Sequence, residues 1–272
     1  MHKVILIARD ECFSPHSVAN DLAILKAVEQ RLISHGYKIT MLSESSLSNY
    51  SLPSGKASEA PLYLSMGRHE STLDFLREKE RQGMMVINSA DGVGMCVCRS
   101  RLDELMRCER IPVPPIEGEY GYWLKRGDIS AQSHDDIVFA ADKQERDSAM
   151  RRFHDRGIKQ VVVSSHVPGD VVKFYGVEGV GFFRVYYPTD DGVTKFGDEQ
   201  RNGTAHHYPF ELDHLRHEAE RLSRLVGVPV YGGDAVVTEQ GQFCIIDFND
   251  WPSFSRCREA AADAITELLI RI

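Results

Sequence analysis

No apolar run in this sequence approaches the ~20 residues that a helix needs to cross a bilayer, so no membrane partner is expected. A surplus of positive charge is also missing. Against 40 acidic residues stand 32 lysines and arginines, a formal net charge of −8. Without a basic stripe to offset phosphate repulsion, a general nucleic-acid binder is disfavoured. Paired cysteines are absent too: of six, only Cys96 and Cys98 lie close together, and a single C-x-C is a poor zinc signal. The other four are scattered through apolar or helical settings, which suits reduced thiols in a cytoplasmic protein. There is no internal repeat and no low-complexity tract. The apolar start ends at Arg9-Asp10, too short for the core of a secretory signal. The sequon Asn202-Gly203-Thr204 is discounted for the same reason.

What is present describes a globular protein. Hydrophobic residues make up 42% and charged residues 26% of 272, enough to bury a substantial core in two or three lobes. Residues 1–88 alternate apolar strands (4–8, 38–42, 62–66, 84–88) with helices (17–35, 70–82), and Gly36 and Gly83 stand where those helices end. Such alternation predicts a parallel sheet with helices on its faces, an α/β lobe. Residues 43–61, rich in serine, glycine and proline, read as a long surface loop. A helix over 99–109 leads into Ile111-Pro112-Val113-Pro114-Pro115, a stiff connector. Short strands (120–125, 137–140, 160–167, 171–177, 182–187) around one helix (143–156) follow, the texture of an α+β lobe. A helix over 210–226, a hairpin and a terminal helix over 258–270 complete the chain. The expected division is 1–88, 89–167 and 168–272.

The hairpin carries the chemistry. Strands 231–238 and 243–248 flank a short turn, and antiparallel pairing sets them ~5 Å apart. Asp234 can therefore sit beside Asp247, and Asn249, two residues on, points to the same side. Facing carboxylates in largely apolar strands need a cation or a shared proton. Two carboxylates and an amide oxygen are hard ligands that suit magnesium carrying phosphate oxygens, so a nucleotide is expected.

Gly232-Gly233-Asp234, a turn, and then Ile245-Ile246-Asp247-Phe248-Asn249-Asp250-Trp251-Pro252 resemble the metal-binding end of the ATP-grasp superfamily, with the spacing of its D-alanine–D-alanine ligase-like members. The resemblance implies that Asp234, Asp247 and Asn249 hold magnesium against the β- and γ-phosphates. The apolar run ending in Ser164-Ser165-His166-Val167-Pro168-Gly169 resembles the adenine-binding hinge, with Asp170 a substitute for the acidic residue that meets the ribose. Lys125 matches the strand-end lysine that reaches phosphate. Arg99 or Arg101 stands where the family opens a helix with a second cation. Lys173, in Lys173-Phe174-Tyr175, and Arg184 are the implied catalytic cations around the γ-phosphoryl group. Arg201-Asn202-Gly203 parallels a substrate-side loop. The family's glycine-rich phosphate loop is thin here, with only Gly127 between Arg126 and Ser133.

By this resemblance the fold is ATP-grasp, mixed α/β and α+β, preceded by a Rossmann-like lobe. The implied function is ATP- and Mg-dependent ligation of a small-molecule carboxylate to an amine through an acyl phosphate. Two alternatives stay open: an ATP-grasp kinase acting on a polyol or inositol-like hydroxyl, and a nucleotide-binding module without catalysis. Arg68, His69, Ser253 and Arg256 are candidates to face the acceptor. A homodimer is left open.

Overall fold

Strand β1 (Lys3–Ala8) is apolar on both sides, so it is stable only where both faces are covered. The computed structural model, which describes residues 3–14, 17–49, 62–129, 133–191 and 201–271, places it inside a four-stranded parallel sheet. Its neighbours are β2 (Lys38–Ser43) and β3 (Leu62–Ser65), with β4 (Val86–Ile87) beyond β3. Helix α1 (Val18–Ser34) lays Ile24, Leu25, Val28 and Leu32 on Val4 and Leu6. Helix α2 (Glu70–Arg81) covers the other face, where Leu76 meets Ile5, Ile7 and Tyr63. Each such fully buried side chain contributes roughly 1.5–3 kcal/mol. Of the expected loop over 43–61, Ser43 ends β2 and Glu44–Asn49 form a 3₁₀ turn; residues 50–61 lie outside the described residues.

One helix was not anticipated. Helix α3 (Ala90–Val97) contains two glycines, which lower its intrinsic propensity. It forms because the Ser89 hydroxyl accepts the Gly92 N–H at 3.1 Å and because Gly92 lies flush on the chain around Val226 and Val228. A Cβ at Gly92 would stand 2.5 Å from the Val226 carbonyl oxygen. Helix α4 (Arg99–Cys108) follows at once.

Two antiparallel sheets make up the rest. The smaller has the order β6 (Ile137–Ala140), β5 (Tyr122–Arg126), β7 (Val161–Ser165), and α5 (Lys143–Asp155) presses Ala149 and Phe153 onto it. The larger has the order β11 (Phe243–Asp250), β10 (Val230–Val237), β8 (Asp170–Val177), β9 (Phe182–Tyr186). On one of its faces α6 (Leu212–Val226) packs Leu215, Ala219, Leu222 and Val226, a stripe at helical spacing.

Helix α7 (Arg258–Arg271) returns to the first sheet and packs on α1 through Ala261, Ala262, Ile265 and Leu269. Arg31 of α1 donates to the carboxylates of Asp263 and Glu259. The last residues of the chain therefore complete the core begun by the first. Asn88 ties the two ends together again: its amide donates to the Val230 carbonyl at 2.8 Å and accepts the Val230 N–H at 2.9 Å, fully buried. Among the described residues no helix is long and apolar enough to cross a membrane.

Candidate functional site

The face of the larger sheet opposite α6 looks into a cavity of about 650 Å³. Strand alternation decides which side chains reach it. On β8, Val171, Lys173 and Tyr175 line the cavity while Val172 and Phe174 enter the core. On β10, Gly232, Asp234 and Val236 line it. On β11 the alternation is broken: Ile245 and Phe248 both lie in the core, three residues apart. A bulge beside Asp234 absorbs the odd residue. Ile246 is the extra residue, and its carbonyl accepts a hydrogen bond from Lys125 Nζ at 3.0 Å. Gly233 is needed at this crossing, since a Cβ there would sit 2.3 Å from the Asp247 carbonyl oxygen and 2.4 Å from the Phe174 ring.

Asp234 and Asp247 are direct cross-strand partners on the cavity wall. Opposed like charges would destabilise the hairpin, and the surroundings answer with cations. Lys173, the partner of Asp234 on the other side, donates to its carboxylate at 2.6 Å. The Asn249 amide donates to Asp247 at 3.0 Å. Burial pushes the Asp247 carboxyl up, but Arg99, Lys125, the Asn249 amide and Lys173 together outweigh it and hold the group below its ordinary range. Burial lowers the Lys125 ammonium, with Asp247 and Asp234 opposing. The wall thus presents two carboxylates and one amide to a shared space. That donor set fits a hard divalent cation.

The cavity's opposite wall comes from the smaller sheet and the connector to β8. Ser164, Ser165, His166 and Val167 all line it. The Ser165 N–H is bound to the Pro115 carbonyl and the His166 N–H to that of Gly121, which anchors the strand end. The Val167 N–H has no partner among the described residues. The Trp123 indole N–H donates to His166 Nδ1 at 3.1 Å, which makes that nitrogen an acceptor. Burial, helped by Arg201, lowers the His166 pKa. Asn202 also lines the cavity and donates to the Val167 and Gly169 carbonyls. Gly169, at φ +155°, is required because a Cβ would lie 2.2 Å from the Val237 carbonyl oxygen.

Four expected positions fall elsewhere. Arg99 lines the cavity and donates to the Arg126 carbonyl at 2.9 Å, whereas Arg101, two residues along α4, is exposed and away from it. Asp170 alternates to the core side of β8. It is buried and accepts the His206 and Tyr208 N–H groups at 2.7 and 2.9 Å, so it anchors that segment and does not reach the cavity. Arg184 shares the face of Lys173 but belongs to β9, one strand farther out, opposite Tyr175. Its exposed guanidinium donates to the Phe183 carbonyl and lies 5.2 Å from the Phe182 ring, outside the cavity. Arg256 is the arginine that lines this side. His69 also stands outside, beside Asp10 and Cys12. The glycine-poor segment after β5 lies partly outside the described residues, at 130–132.

A cluster of which the sequence points only to Arg68 closes the end toward the parallel sheet. Asp250, fully buried, takes Arg68 Nη2 at 2.5 Å and Arg9 Nη2 at 3.3 Å. Arg9 also meets Asp21 at 3.3 Å and donates to the Met66 and Trp251 carbonyls. Both arginines line the cavity, as do Ser253 and Ser255. The signal was the second aspartate of Asp247-Phe248-Asn249-Asp250 and the arginine that follows β1, residues far apart in sequence whose pairing only the fold reveals.

No protein-family model matches the chain, and no curated protein matches it by sequence. Solved structures do match. A RimK-domain ATP-grasp protein of Sphaerobacter thermophilus is 17% identical with a TM-score of 0.64, over 98% of this chain and 99% of that one. D-alanyl-alanine synthetase A of Vibrio cholerae is 12% identical with a TM-score of 0.67, over 99% and 96%. D-alanine–D-alanine ligase of Bacillus anthracis, solved with ATP, is 13% identical with a TM-score of 0.64, over 100% and 98%. End-to-end likeness of this kind to proteins that share one architecture shows that the chain has the ATP-grasp fold.

Proposed function

We propose that this protein is an ATP- and magnesium-dependent ligase that joins a small-molecule carboxylate to an amine through an acyl phosphate. The observation that carries this reading is the convergence of Arg99, Lys125 and Lys173 on the facing carboxylates Asp234 and Asp247 inside one cavity. That is the charge arrangement a triphosphate with a divalent ion requires. The ligases of similar fold, one of them solved with ATP, are consistent with it.

In this reading the base lies against Ser164 to Val167, where the Val167 N–H is available to it, with Trp123 steadying His166. Lys125 and Arg99 bind the phosphate chain and Lys173 neutralises charge at the γ-phosphoryl group. Magnesium, held by Asp234, Asp247 and Asn249, supplies charge neutralisation to the β- and γ-phosphates when bound. A carboxylate oxygen of the substrate attacks the γ-phosphorus, the bond to the bridging oxygen breaks, and ADP leaves with the electron pair. The amine then attacks the acyl carbon, phosphate departs, and the amine's proton passes to solvent. No side-chain nucleophile is needed. Arg68, Arg256 and Ser253 would bind the acceptor at the end nearest the parallel sheet. The lobes 1–88, 89–167 and 168–272 would then enclose nucleotide between the second and third, with the first helping to hold the acceptor.

The test is ADP release in the presence of pooled carboxylates, amines and polyols, with magnesium and again after chelation. Magnesium-dependent ADP formation that needs both a carboxylate and an amine is the expected result. ADP formed with a polyol alone, together with a phosphorylated product, would replace the ligase by a kinase. ATP binding without acceptor-dependent ADP would overturn both.

A further inference from the structure

Among the described residues one group of histidine, cysteine and acidic side chains has metal-binding spacing, and it lies outside the cavity. Asp10 and Cys12 stand in the loop after β1, and His69 stands in the loop after β3. Both loops leave the same end of the parallel sheet, the end where open α/β sheets place their ligands. One ligand atom from each residue lies within 4.8 Å of the other two. Cys12 Sγ is 3.9 Å from His69 Nε2, and His69 Nε2 is 3.5 Å from Asp10 Oδ2.

These separations can be compared with what an ion would impose. Bonds of about 2.3 Å to sulfur and 2.0 Å to nitrogen and oxygen at tetrahedral angles set ligand atoms about 3.3–3.6 Å apart. The two gaps to His69 exceed that by only a few tenths of an ångström and the third lies within 4.8 Å, so side-chain rotation can close the set.

The backbone beneath is already held in place. The buried Glu44 carboxylate accepts the Asp10 N–H at 2.7 Å, the Arg68 N–H at 2.7 Å and the His69 N–H at 2.8 Å, so one side chain pins both loops. Asp10 Oδ1 accepts the Cys12 N–H at 3.0 Å, and the Phe13 ring meets the His69 ring edge-on at 4.9 Å. Nearby Glu44 adds negative charge that favours a cation. Thiolate, imidazole and carboxylate together select a borderline-soft ion and leave a fourth position for water.

We propose that Asp10, Cys12 and His69 form a site for a divalent cation of the zinc type, separate from the hairpin carboxylates and different from them in ligand chemistry. On binding, the Cys12 thiol releases its proton to solvent and the thiolate joins the ion. The ion then bridges two loops whose adjoining residues, Arg9 and Arg68, line the cavity, so its occupancy stiffens that end. This inference does not depend on the ligase reading.

Cobalt(II) titration of the whole protein under reducing conditions tests it, because a tetrahedral thiolate site gives a near-ultraviolet charge-transfer band and intense visible absorption. One equivalent of cobalt should produce both, and zinc should displace them. Cys12→Ser should abolish the charge-transfer band. His69→Ala should weaken binding by at least tenfold, since losing even an outer-shell partner typically costs ~10–100-fold. Asp247→Asn should leave the band intact. A band that survives Cys12→Ser, or no saturable band in the wild type, overturns the proposal.

Discussion

Burial and attraction oppose each other at Asp247. Loss of solvent favours the neutral acid, while Arg99, Lys125, the Asn249 amide and Lys173 favour the anion, and the anion prevails. A carboxyl whose folded pKa is depressed adds stability that is fully present above its unfolded value, about 3.9, and is lost as the pH falls through the lower folded value. The stability difference between wild type and Asp247→Asn should accordingly be constant above about pH 5 and shrink at more acid pH; urea unfolding across a pH series reads this directly. The same substitution should lower magnesium-dependent turnover by ~10²-fold or more with an unchanged circular dichroism spectrum. Lys125→Ala should raise the apparent KM for ATP. Arg184→Ala, outside the cavity, should leave KM and turnover within about twofold, which steady-state kinetics on the three variants will separate.

At the scale of elements, the hairpin depends on one irregularity and one cross-link. The bulge lets Ile245 and Phe248 stay in the core while Asp247 and Asn249 face the cavity. A plain ladder would turn one of these sets the wrong way. The cross-link is Asn88, whose buried amide satisfies both backbone groups of Val230 at the start of β10. Asn88→Ala strands the buried Val230 N–H, while the Val230 carbonyl keeps the Trp251 N–H at 2.9 Å, at about 1–3 kcal/mol for one unpaired group. The denaturant midpoint should fall accordingly, with no change in the slope of the transition. Helix α3 shows the converse: poor local propensity is overridden by a cap and a close approach.

The whole molecule is held together through charges that belong to different parts of the chain. Asp250, at the end of β11, lies between Arg9 and Arg68 from the loops of the parallel sheet. Breaking a buried pair by removing one partner typically costs 3–5 kcal/mol, because the remaining charge stays desolvated. Asp250→Ala leaves two guanidinium groups in that position, so thermal unfolding should show a loss of about this size. Asp250→Asn keeps the shape and removes the charge, and should fall between the two. Since Arg9 and Arg68 line the cavity, the same link sets the shape of its acceptor end.

Local pattern was enough for most of the elements. Among the described residues, apolar periodicity, terminal glycines and turn residues located every strand of the three sheets and six of the seven α-helices to within a few residues, because burial of one face is a property of neighbours in sequence. That Asp234 and Asp247 lie near each other was legible for the same reason, but the register set by the turn runs Ala235 against Ile245 and would set Asp234 against Ile246; the bulge is what brings Asp247 opposite it. Where strand order or long-range pairing decides, sequence order is silent. Arg184 lies one strand too far out, Asp170 turns to the core side of β8, and Arg9, Arg68 and Asp250 meet across more than 180 residues. Alternation and amphipathicity are encoded locally, so the sequence alone determined most of the elements and the presence of the carboxylate hairpin. Which charges meet across the cavity depends on how the sheets pack, and only the tertiary structure decided that.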